Sequence, residues 1–168
     1  MTKKIIASDK LIVRQWQETD FDATRKLFYE TVHAINAKDY TPEQLNAWAP
    51  AATVSNETDR EKIRYRFEQN QSHVVEYNDI IVGFGDLTPS GEVDHLHVHK
   101  DFQSQGIGSL LLRTMEDQAR ALGLKELTTE ASITAKPFFE KHGFIVEKSQ
   151  IVERRGQQFK NFVMSKKL

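Results

Sequence analysis

The chain has 168 residues, a formal net charge of −1 and no cysteine. This length favours a single domain with a sizeable core, the near-zero charge argues against bulk attraction to nucleic acid or to an anionic membrane, and the lack of cysteine excludes disulfides and thiolate chemistry. Because no apolar run approaches a membrane span and the N-terminal segment has too few apolar residues for a signal peptide, we expect a cytoplasmic protein.

The first part of the chain combines one strand with three helix-start signals. Residues 11–16 predict the strand, and residues 19–22 match a capping box in which Thr19 caps a helix. Residues 41–44 place Pro at the first helical position, and residues 58–61 form a third start signal. The residues at helical spacing in the first helix are Ala23, Leu27, Thr31 and Ile35; the apolar residues of the other two are Leu45 and Trp48 in the second and Ile63 and Phe67 in the third. Three helices in this position form either a wall over a cleft or plain structural cover.

Three strands then follow as a predicted antiparallel meander. Residues 73–77 and 80–87 are strand-like runs separated by the turn signal Asn78-Asp79. Pro89-Ser90-Gly91 turns the chain into residues 93–99, where apolar and polar side chains alternate as a half-buried strand requires.

A glycine-containing loop joins the third of these strands to the next helix. Gly106 and Gly108 open that helix, and Gly123 ends it. The apolar residues that predict its buried face are Ile107, Leu111, Met115, Ala119 and Leu122. The first N–H groups of a helix have no internal partner and lie at its positive end, so glycines at this point predict an anion site, most often for phosphate.

Two common phosphate motifs do not fit this loop. The dinucleotide pattern needs a third Gly or Ala where the chain has Leu111, and a P-loop needs Lys and Ser or Thr after the last glycine, where the chain has Ser109 and Leu110. The pattern that fits is Gln/Arg-x-x-Gly-x-Gly/Ala, read from Gln103 to Gly108.

The C-terminal part predicts strand, short helix and two strands. Residues 124–131 return after a helical crossover, so this strand should lie parallel to 93–99. Residues 135–143 predict a short helix, and residues 144–147 and 159–164 predict two strands joined by a loop around Arg154, Arg155 and Gly156. The complete order is that of a mixed α/β sheet.

The Gln103–Gly108 pattern resembles the cofactor loop of the GNAT superfamily of acyl-CoA-dependent N-acyltransferases. The element order is similar to that family from about residue 11 to 168, and residues 138–144 resemble its second signature, an aromatic-rich helix ending in Gly-Phe. The resemblance implies one N-acetyltransferase domain over residues 1–168. It also implies a mostly antiparallel sheet with one splayed parallel strand pair and helices on both faces.

The resemblance further implies acetyl-CoA as cosubstrate. Backbone N–H groups of residues 105–109 would hold its pyrophosphate, and the main chain of residues 96–98 would bind the pantetheine arm as an added strand. Phe138 and Phe139 either pack against this arm or belong to the core. The residues expected to bind the cofactor are Leu96, His97, Val98, Gln103, Ser104, Gln105, Gly106, Ile107, Gly108, Ser109, Phe138 and Phe139.

Three acidic residues are candidates for the general base of amine acetylation. By the period of two, Glu92 and Asp94 share a strand face with Leu96 and Val98, and Glu92 falls where the histone-acetylating branch of the family carries its catalytic glutamate. A carboxylate in a partly buried cleft has a raised pKa and can accept a proton. We rank Asp94 and Glu92 together, then Glu130 on the neighbouring strand; the alternative for Glu92 is a solvated turn residue. Three acids favour a cationic amine, carried by a small molecule or a peptide.

The chain departs from the family pattern at two positions. Many members carry a tyrosine that protonates the leaving thiolate where this chain has Phe139, and an asparagine where it has Ser132. These departures leave a second hypothesis open: a CoA-binding regulatory or partner-binding module that transfers little or no acetyl group.

Other features of the sequence point to no further ligand. His95, His97 and His99 alternate on one strand, which suits a zinc site, but no recognised ligand spacing accompanies them, and we expect no metal. The basic residues around Arg154 and Arg155 are too few for a nucleic-acid site. We therefore expect neither a nucleic-acid nor a membrane partner, with monomer and homodimer both open.

Overall fold

The computed structural model describes residues 5–51 and 56–168. Its strands are β1 (Ile12–Gln15), β2 (Gln71–Tyr77), β3 (Ile80–Leu87), β4 (Glu92–Val98), β5 (Glu126–Ser132), β6 (Ile145–Arg154) and β7 (Gln157–Lys167). Its α-helices are α1 (Phe21–Ile35), α2 (Pro42–Trp48), α3 (Glu57–Gln69), α4 (Ile107–Ala121) and α5 (Lys136–Lys141). No helix within the described ranges is long and apolar enough to cross a bilayer.

The seven strands form one mixed sheet in the order β1-β2-β3-β4-β5-β7-β6. All neighbouring pairs are antiparallel except β4 and β5, which are parallel, as the crossover through α4 predicts. Their ladder comprises Glu92 with Thr128 and Val93 with Thr129. Because β4 continues to Val98 and β5 to Ser132, a gap opens between the two strands. The mixed fold class with helices on both faces and one splayed parallel pair is confirmed.

Each face of the sheet is covered by helices with a buried apolar stripe. On one face α1 packs Leu27, Phe28 and Val32 against Val74 and Phe84. On the other face the buried residues of α4 are Ile107, Leu111, Leu112, Met115 and Ala119. Alternate residues of the central strands therefore contribute to two separate apolar layers, which fix the sheet on both sides.

Two of the three predicted helix starts need correction. At α1, Gln17 and Asp20 form the reciprocal capping box around a preceding 3₁₀ turn, instead of Thr19 and Asp22. At α3, the Asn56 side chain accepts the Asp59 N–H, so the helix begins one residue before Thr58. Polar residues are frequent before both helices, so several of them could cap, and the tertiary position of the chain selects one. At α2 the predicted start is confirmed, with Pro42 as the first helical residue and with Thr41 and Gln44 forming a capping box.

Two further predictions fail in detail. Leu122 is 52% exposed because α4 ends at Ala121, so the apolar stripe stops one turn earlier than predicted. The last two strands extend beyond their predicted bounds and meet at a tight turn, in which Arg155 and Gly156 have φ of 45° and 78°. Two successive left-handed residues suit a two-residue hairpin, which keeps both strands paired to the turn.

An ionic cluster joins β1, β2 and the start of α1. The Arg14 guanidinium donates to both carboxylate oxygens of Asp20, at 2.7 and 2.8 Å, and to Glu76 on β2. Asp20 is buried and also accepts the Gln17 N–H at 2.8 Å. The hydrogen bonds from Arg14 hold the pKa of Asp20 below its ordinary value, although burial opposes them.

We expect Asp20→Asn to lower the free energy of unfolding by about 2 kcal/mol at pH 7, because a charged buried hydrogen-bond partner of Arg14 is lost. A depressed carboxyl pKa stabilises the fold above the ordinary carboxyl range, and this contribution disappears as the pH falls through the folded-state pKa. The difference between wild type and variant should therefore shrink in acid. Urea unfolding at several pH values measures it, with exposed Asp22→Asn as the matched control. An equal loss at neutral and acidic pH would contradict the expectation.

Candidate active site

The central strand β4 contains a β-bulge. Asp86 pairs with His95, but the next residue, Leu87, pairs with Val93, so Asp94 is an extra residue on β4. An extra residue interrupts the alternation of side chains between the two faces of a sheet. Every prediction that relies on a period of two across Asp94 is affected.

The bulge separates Asp94 from the residues with which it was expected to share a face. The Asp94 carboxylate lies 3.4 Å from the Arg66 guanidinium of α3 and 3.6 Å from Nδ1 of His95. Leu96 and Val98 instead pack into the apolar layer that contains α4. The predicted common face of Glu92, Asp94, Leu96 and Val98 is therefore wrong, because the bulge turns Asp94 toward α3.

The gap between β4 and β5 exposes backbone groups of β4. The His99 N–H donates to Val82 on β3 at 2.8 Å. In an antiparallel ladder such bonds recur at alternate residues, so His97 also directs its backbone groups to β3, while Leu96 and Val98 direct theirs into the gap. His97 pairs with Phe84, so its main chain faces β3. The expectation that it faces a ligand is therefore wrong.

The carbonyl of Val98 holds α1 and the glycine loop next to the gap. It accepts hydrogen bonds from Thr31 Oγ1 on α1 at 3.0 Å and from Gln103 Nε2 at 2.6 Å. Gln103 therefore ties the glycine loop to the end of β4.

The glycine loop ends in left-handed residues immediately before α4. Ser104 and Gly106 have φ of 59° and 83°, and the helix starts at Ile107. This turn leaves the N–H groups of the first helical residues without intrahelical partners, at the positive end of a four-turn helix. Ile107 itself is buried, so only its backbone can contribute to an anion site. Gln105 accepts the N–H of Ile6 through its side chain.

Ser109 links the start of α4 to α5. The Nδ1–H of His142 donates to the Phe138 carbonyl at 2.7 Å, since a carbonyl only accepts. Nε2 of the neutral ring is then an acceptor, and Ser109 Oγ–H donates to it at 2.8 Å. The helices α4 and α5 are thereby held together at the N-terminal end of α4.

A cavity lies along this gap and loop, and we call it the cofactor cavity. It brings together seven of the predicted cofactor residues, namely Leu96, His97, Val98, Gln103, Gly108, Phe138 and Phe139. The other five, Ser104, Gln105, Gly106, Ile107 and Ser109, form the loop and the first turn of α4.

The two phenylalanines of α5 have different surroundings. Phe138 packs over Gly108, where an added Cβ would lie 3.1 Å from the ring. Phe139 is only 4% exposed and packs on Phe144 with ring centroids 5.0 Å apart. Phe138 is therefore a wall of the cofactor cavity, and Phe139 is mainly a core residue that reaches the cavity at one edge.

A second cavity, the acceptor cavity, lies on the α1 side of the gap. Its polar lining includes Asp94, His95, Glu130, Arg66 and Asn161, and its aromatic lining includes Phe28, Tyr40, Trp48 and Phe159. His97, Trp48 and Ser132 line both cavities. The two cavities therefore meet where β4 and β5 separate.

A buried carboxylate orients one of the histidines of the acceptor cavity. Asp86 is 0% exposed and accepts hydrogen bonds from His95 Nδ1 at 2.7 Å and from Asn70 Nδ2 at 2.6 Å. Burial raises the pKa of Asp86, but His95 and Asn70 together hold it below its ordinary value. An ionised Asp86 makes Nδ1 of His95 the donor, which leaves Nε2 of the neutral ring as a proton acceptor.

Sequence reasoning considered His95 only as a metal ligand and did not single out Asp86, Tyr40 or Asn161. One signal was available for Asp86, since it is a charged residue within the apolar run of residues 80–87. A carboxylate inside such a strand needs a hydrogen-bond partner. The identity of that partner depends on the bulge.

The three acidic candidates lie near one another, and two of them line a cavity. Asp94 and Glu130 line the acceptor cavity, whereas Glu92 lies in the parallel ladder opposite Thr128. Burial, followed by the charges of Asp94 and Glu130, raises the pKa of Glu92. The side chain of Glu130 accepts a hydrogen bond from Gln150 at 3.1 Å.

The alternating histidines do not converge on one point. His97 packs edge-on against Phe28, with ring centroids 5.0 Å apart. Burial, and to a smaller extent the proximity of the titratable His95, lower the pKa of His97 to about 3. His99 instead accepts the Asp101 N–H and packs on Phe102. Across residues 5–51 and 56–168, potential metal-ligating atoms cluster within 4.8 Å at Asp86, Asp94 and His95. That cluster already contains the Asp86–His95 hydrogen bond.

Comparison with known proteins agrees with this geometry. The model of the acetyltransferase (GNAT) domain matches residues 36–167. The chain belongs to the GNAT acetyltransferase family. It is 34% identical to the uncharacterized N-acetyltransferase YafP of Escherichia coli K12 over 152 residues, which cover 90% of this chain and 93% of that protein.

Solved structures of the family share the fold. A GCN5-related N-acetyltransferase from Rhodopseudomonas palustris has a TM-score of 0.87 at 29% identity, covering 100% of this chain and 99% of that one. The PaiA N-acetyltransferase from Thermoplasma acidophilum, solved with coenzyme A, has a TM-score of 0.75 at 19% identity, covering 94% and 99%. The chain is thus an N-acetyltransferase by family.

Proposed function

We propose that the enzyme transfers the acetyl group of acetyl-CoA to a primary amine of a small molecule or peptide. The observation that carries this proposal is the meeting of two cavities at His97, Trp48 and Ser132, where β4 and β5 separate. One cavity leads to the anion-binding end of α4 and the other to a pocket with carboxylates. A thioester held in the first and an amine held in the second would meet at this junction.

Coenzyme A would occupy the cofactor cavity through mostly backbone contacts. The unpaired N–H groups at the start of α4 would bind its pyrophosphate. The free backbone groups of Leu96 and the Val98 N–H would bond the pantetheine amides, as an added strand does. Phe138 would support the arm from the α5 side. PaiA, which has the same fold, was solved with coenzyme A.

The acceptor cavity suits a cationic amine with apolar character. Asp94 and Glu130 supply negative charge, while Phe28, Trp48 and Phe159 form aromatic walls. His97, whose pKa is about 3, stays neutral at pH 7 and adds no repulsion. We assign ammonium binding to these carboxylates. The half-buried Glu92 adds to the negative electrostatic potential near them.

We assign removal of the amine proton to His95. Its Nδ1 is held by the buried Asp86 carboxylate, so Nε2 can accept a proton while Asp86 stabilises the imidazolium that forms. Asp94, by comparison, faces the Arg66 guanidinium at 3.4 Å, so its carboxylate is already engaged by a cation. The neutral amine then attacks the thioester directly, since the chain has no cysteine to carry the acetyl group.

Ligand-dependent thermal stability tests the cofactor assignment. Acetyl-CoA and CoA at about 100 times their dissociation constants should each stabilise the fold by about 2.7 kcal/mol, whereas NADH, ATP and zinc should give no shift. A shift with a nucleotide or zinc alone would contradict the assignment of the loop. Turnover of acetyl-CoA with a panel of amines then tests the activity. Binding without turnover across a broad panel would favour the regulatory or partner-binding module.

A further inference from the structure

Cleavage of the thioester requires a second proton transfer, at the junction where the two cavities meet. The leaving group is a thiolate, whose conjugate thiol has an ordinary pKa of about 8.5. In a junction walled by aromatic rings, burial makes the charged thiolate less stable than in water. A hydrogen-bond donor at this point would lower the barrier to leaving. This reasoning rests on the proposed function.

Phe139 cannot supply that proton. It has no polar atom, and it is packed into the core against Phe144. The structure instead places a phenol beside the junction, in contact with Trp48 and Ser132, from a distant part of the sequence. Tyr40 lies in the connection between α1 and α2, is 7% exposed and lines the acceptor cavity.

The Tyr40 oxygen is held at the open end of β5. It accepts the N–H of Ile133 at 2.9 Å and shares a hydrogen bond with the Ser132 side chain. Ser132 lines both cavities. The ring is fixed by Trp48, at a centroid distance of 5.4 Å, and by Phe159, at 5.9 Å. The phenol is therefore positioned by contacts from β5, α2 and β7 together.

The environment of Tyr40 keeps it protonated at neutral pH. Burial raises its pKa, and the hydrogen bonds from Ile133 and Ser132 oppose this effect without reversing it. Among nearby charges, Asp39 raises the pKa and Arg154 lowers it. The other titratable or charged side chains around the acceptor cavity are Arg66, Asp94, His95, His97, Glu130 and Lys160.

We propose that Tyr40 is the general acid that protonates the sulfur of CoA, with Ser132 as its positioning residue. As the tetrahedral intermediate collapses, the C–S bond breaks and its electron pair passes to sulfur. The Tyr40 O–H proton then passes to that sulfur, and the phenolate regains a proton from solvent. His95 passes to solvent the proton that it took from the ammonium group, and it then accepts and releases the second proton that the nitrogen loses as the amide forms. The reaction thus takes one proton from solvent and returns two, which is the balance for an ammonium substrate.

The test uses the ionisation of bound CoA, because the protein has no cysteine and CoA is then the one thiol in the complex. Its thiolate is titrated by ultraviolet difference spectroscopy in wild type and Tyr40→Phe, with the desulfo-CoA complex as blank. A hydrogen bond from Tyr40 to the thiolate lowers the thiol pKa. The variant should therefore raise the midpoint by about one pH unit, a tenfold change in the ionisation constant. Coincident titrations in the two proteins would overturn the proposal.

Turnover provides a second measurement. Tyr40→Phe should lower kcat with acetyl-CoA by about 100-fold while the KM for acetyl-CoA changes less than about twofold. Tyr65→Phe, at an exposed position on α3, is the matched control and should leave kcat unchanged. An unchanged kcat in Tyr40→Phe would reject the role. Failure of wild type to bind CoA would reject the proposed function itself, and this proposal with it.

Ser132→Ala keeps the proposal testable if Tyr40→Phe does not fold. It removes the side-chain partner of the phenol but keeps the ring and its contacts with Trp48 and Phe159. The midpoint of CoA ionisation should move in the same direction as in Tyr40→Phe, by a smaller amount. No movement in Ser132→Ala, with Tyr40→Phe unfolded, would count against Tyr40 as the acid.

Discussion

Replacement of His95 by glutamine is expected to lower kcat for amine acetylation by about 100-fold or more, the usual contribution of a positioned general base. Glutamine preserves a donor toward Asp86 but has no nitrogen that accepts a proton at neutral pH. The Michaelis constants should change much less than kcat, because ammonium binding is assigned to Asp94 and Glu130. Steady-state kinetics with acetyl-CoA and an accepted amine measure both parameters.

Asp86→Asn tests the other member of the hydrogen-bonded pair that Asp86 forms with His95. The amide keeps the size of the carboxylate but removes the charge that stabilises the imidazolium of His95, so we expect a loss of about tenfold in kcat. The loss should be larger in kcat than in KM. Since Asp86 is fully buried, unfolding of the variant is followed in parallel.

Asp94→Asn and Glu92→Gln test whether the general base is His95, held by Asp86, or one of the acidic residues that the sequence suggested. Loss of charge at Asp94 should raise the KM for the amine more than it lowers kcat, and Glu92→Gln should have a smaller effect. If either variant abolished turnover and shifted the pH profile while His95→Gln kept its rate, an acid and not His95 would be the base.

Gly108→Trp should weaken acetyl-CoA binding by more than about 100-fold, a loss of about 2.7 kcal/mol. Even a Cβ at this position would lie 3.1 Å from the Phe138 ring and 3.7 Å from Val98. An indole would therefore displace Phe138 or fill the cofactor cavity, next to the N–H groups that would bind the pyrophosphate. Calorimetric titration with acetyl-CoA measures the affinity.

Leu122→Trp is the control for Gly108→Trp. It adds the same side chain at the exposed C-terminal end of α4, far along the helix from the glycine loop. Acetyl-CoA should bind to it as to wild type. Undiminished affinity of a folded Gly108→Trp variant would show that the loop does not hold the cofactor.

Local signals in the sequence were sufficient for the order of elements and for the glycine turn that opens α4. A loop with Gly106 and Gly108 between a strand and a helix has few structural solutions, because backbone N–H groups at a helix start must find an external partner. The crossover through α4 likewise requires β5 to lie parallel to β4. These features depend on neighbouring residues and on chirality, and the structure confirms the topology.

The catalytic side of the site could not be derived in the same way. A single extra residue at Asp94 reverses which side chains face the acceptor cavity, and no local signal marks a bulge within an alternating strand. The expectation for Asp94 and Glu92 assumed an uninterrupted period of two. Glu92 was also suggested by the family resemblance, and His95 was considered only as a metal ligand.

The sequence by itself determined the fold class and the parallel pairing of β4 with β5, because the element order and the right-handed crossover follow from local signals. The splaying of that pair was implied by the family resemblance, and the anion site at the glycine loop stays a prediction. Only the tertiary structure decided which groups meet at the junction of the two cavities. Asp86 reaches His95 across the β3–β4 register, and Tyr40 reaches Ile133 over a separation of 93 residues. Such pairings are set by packing of whole elements on the sheet, which no local pattern encodes.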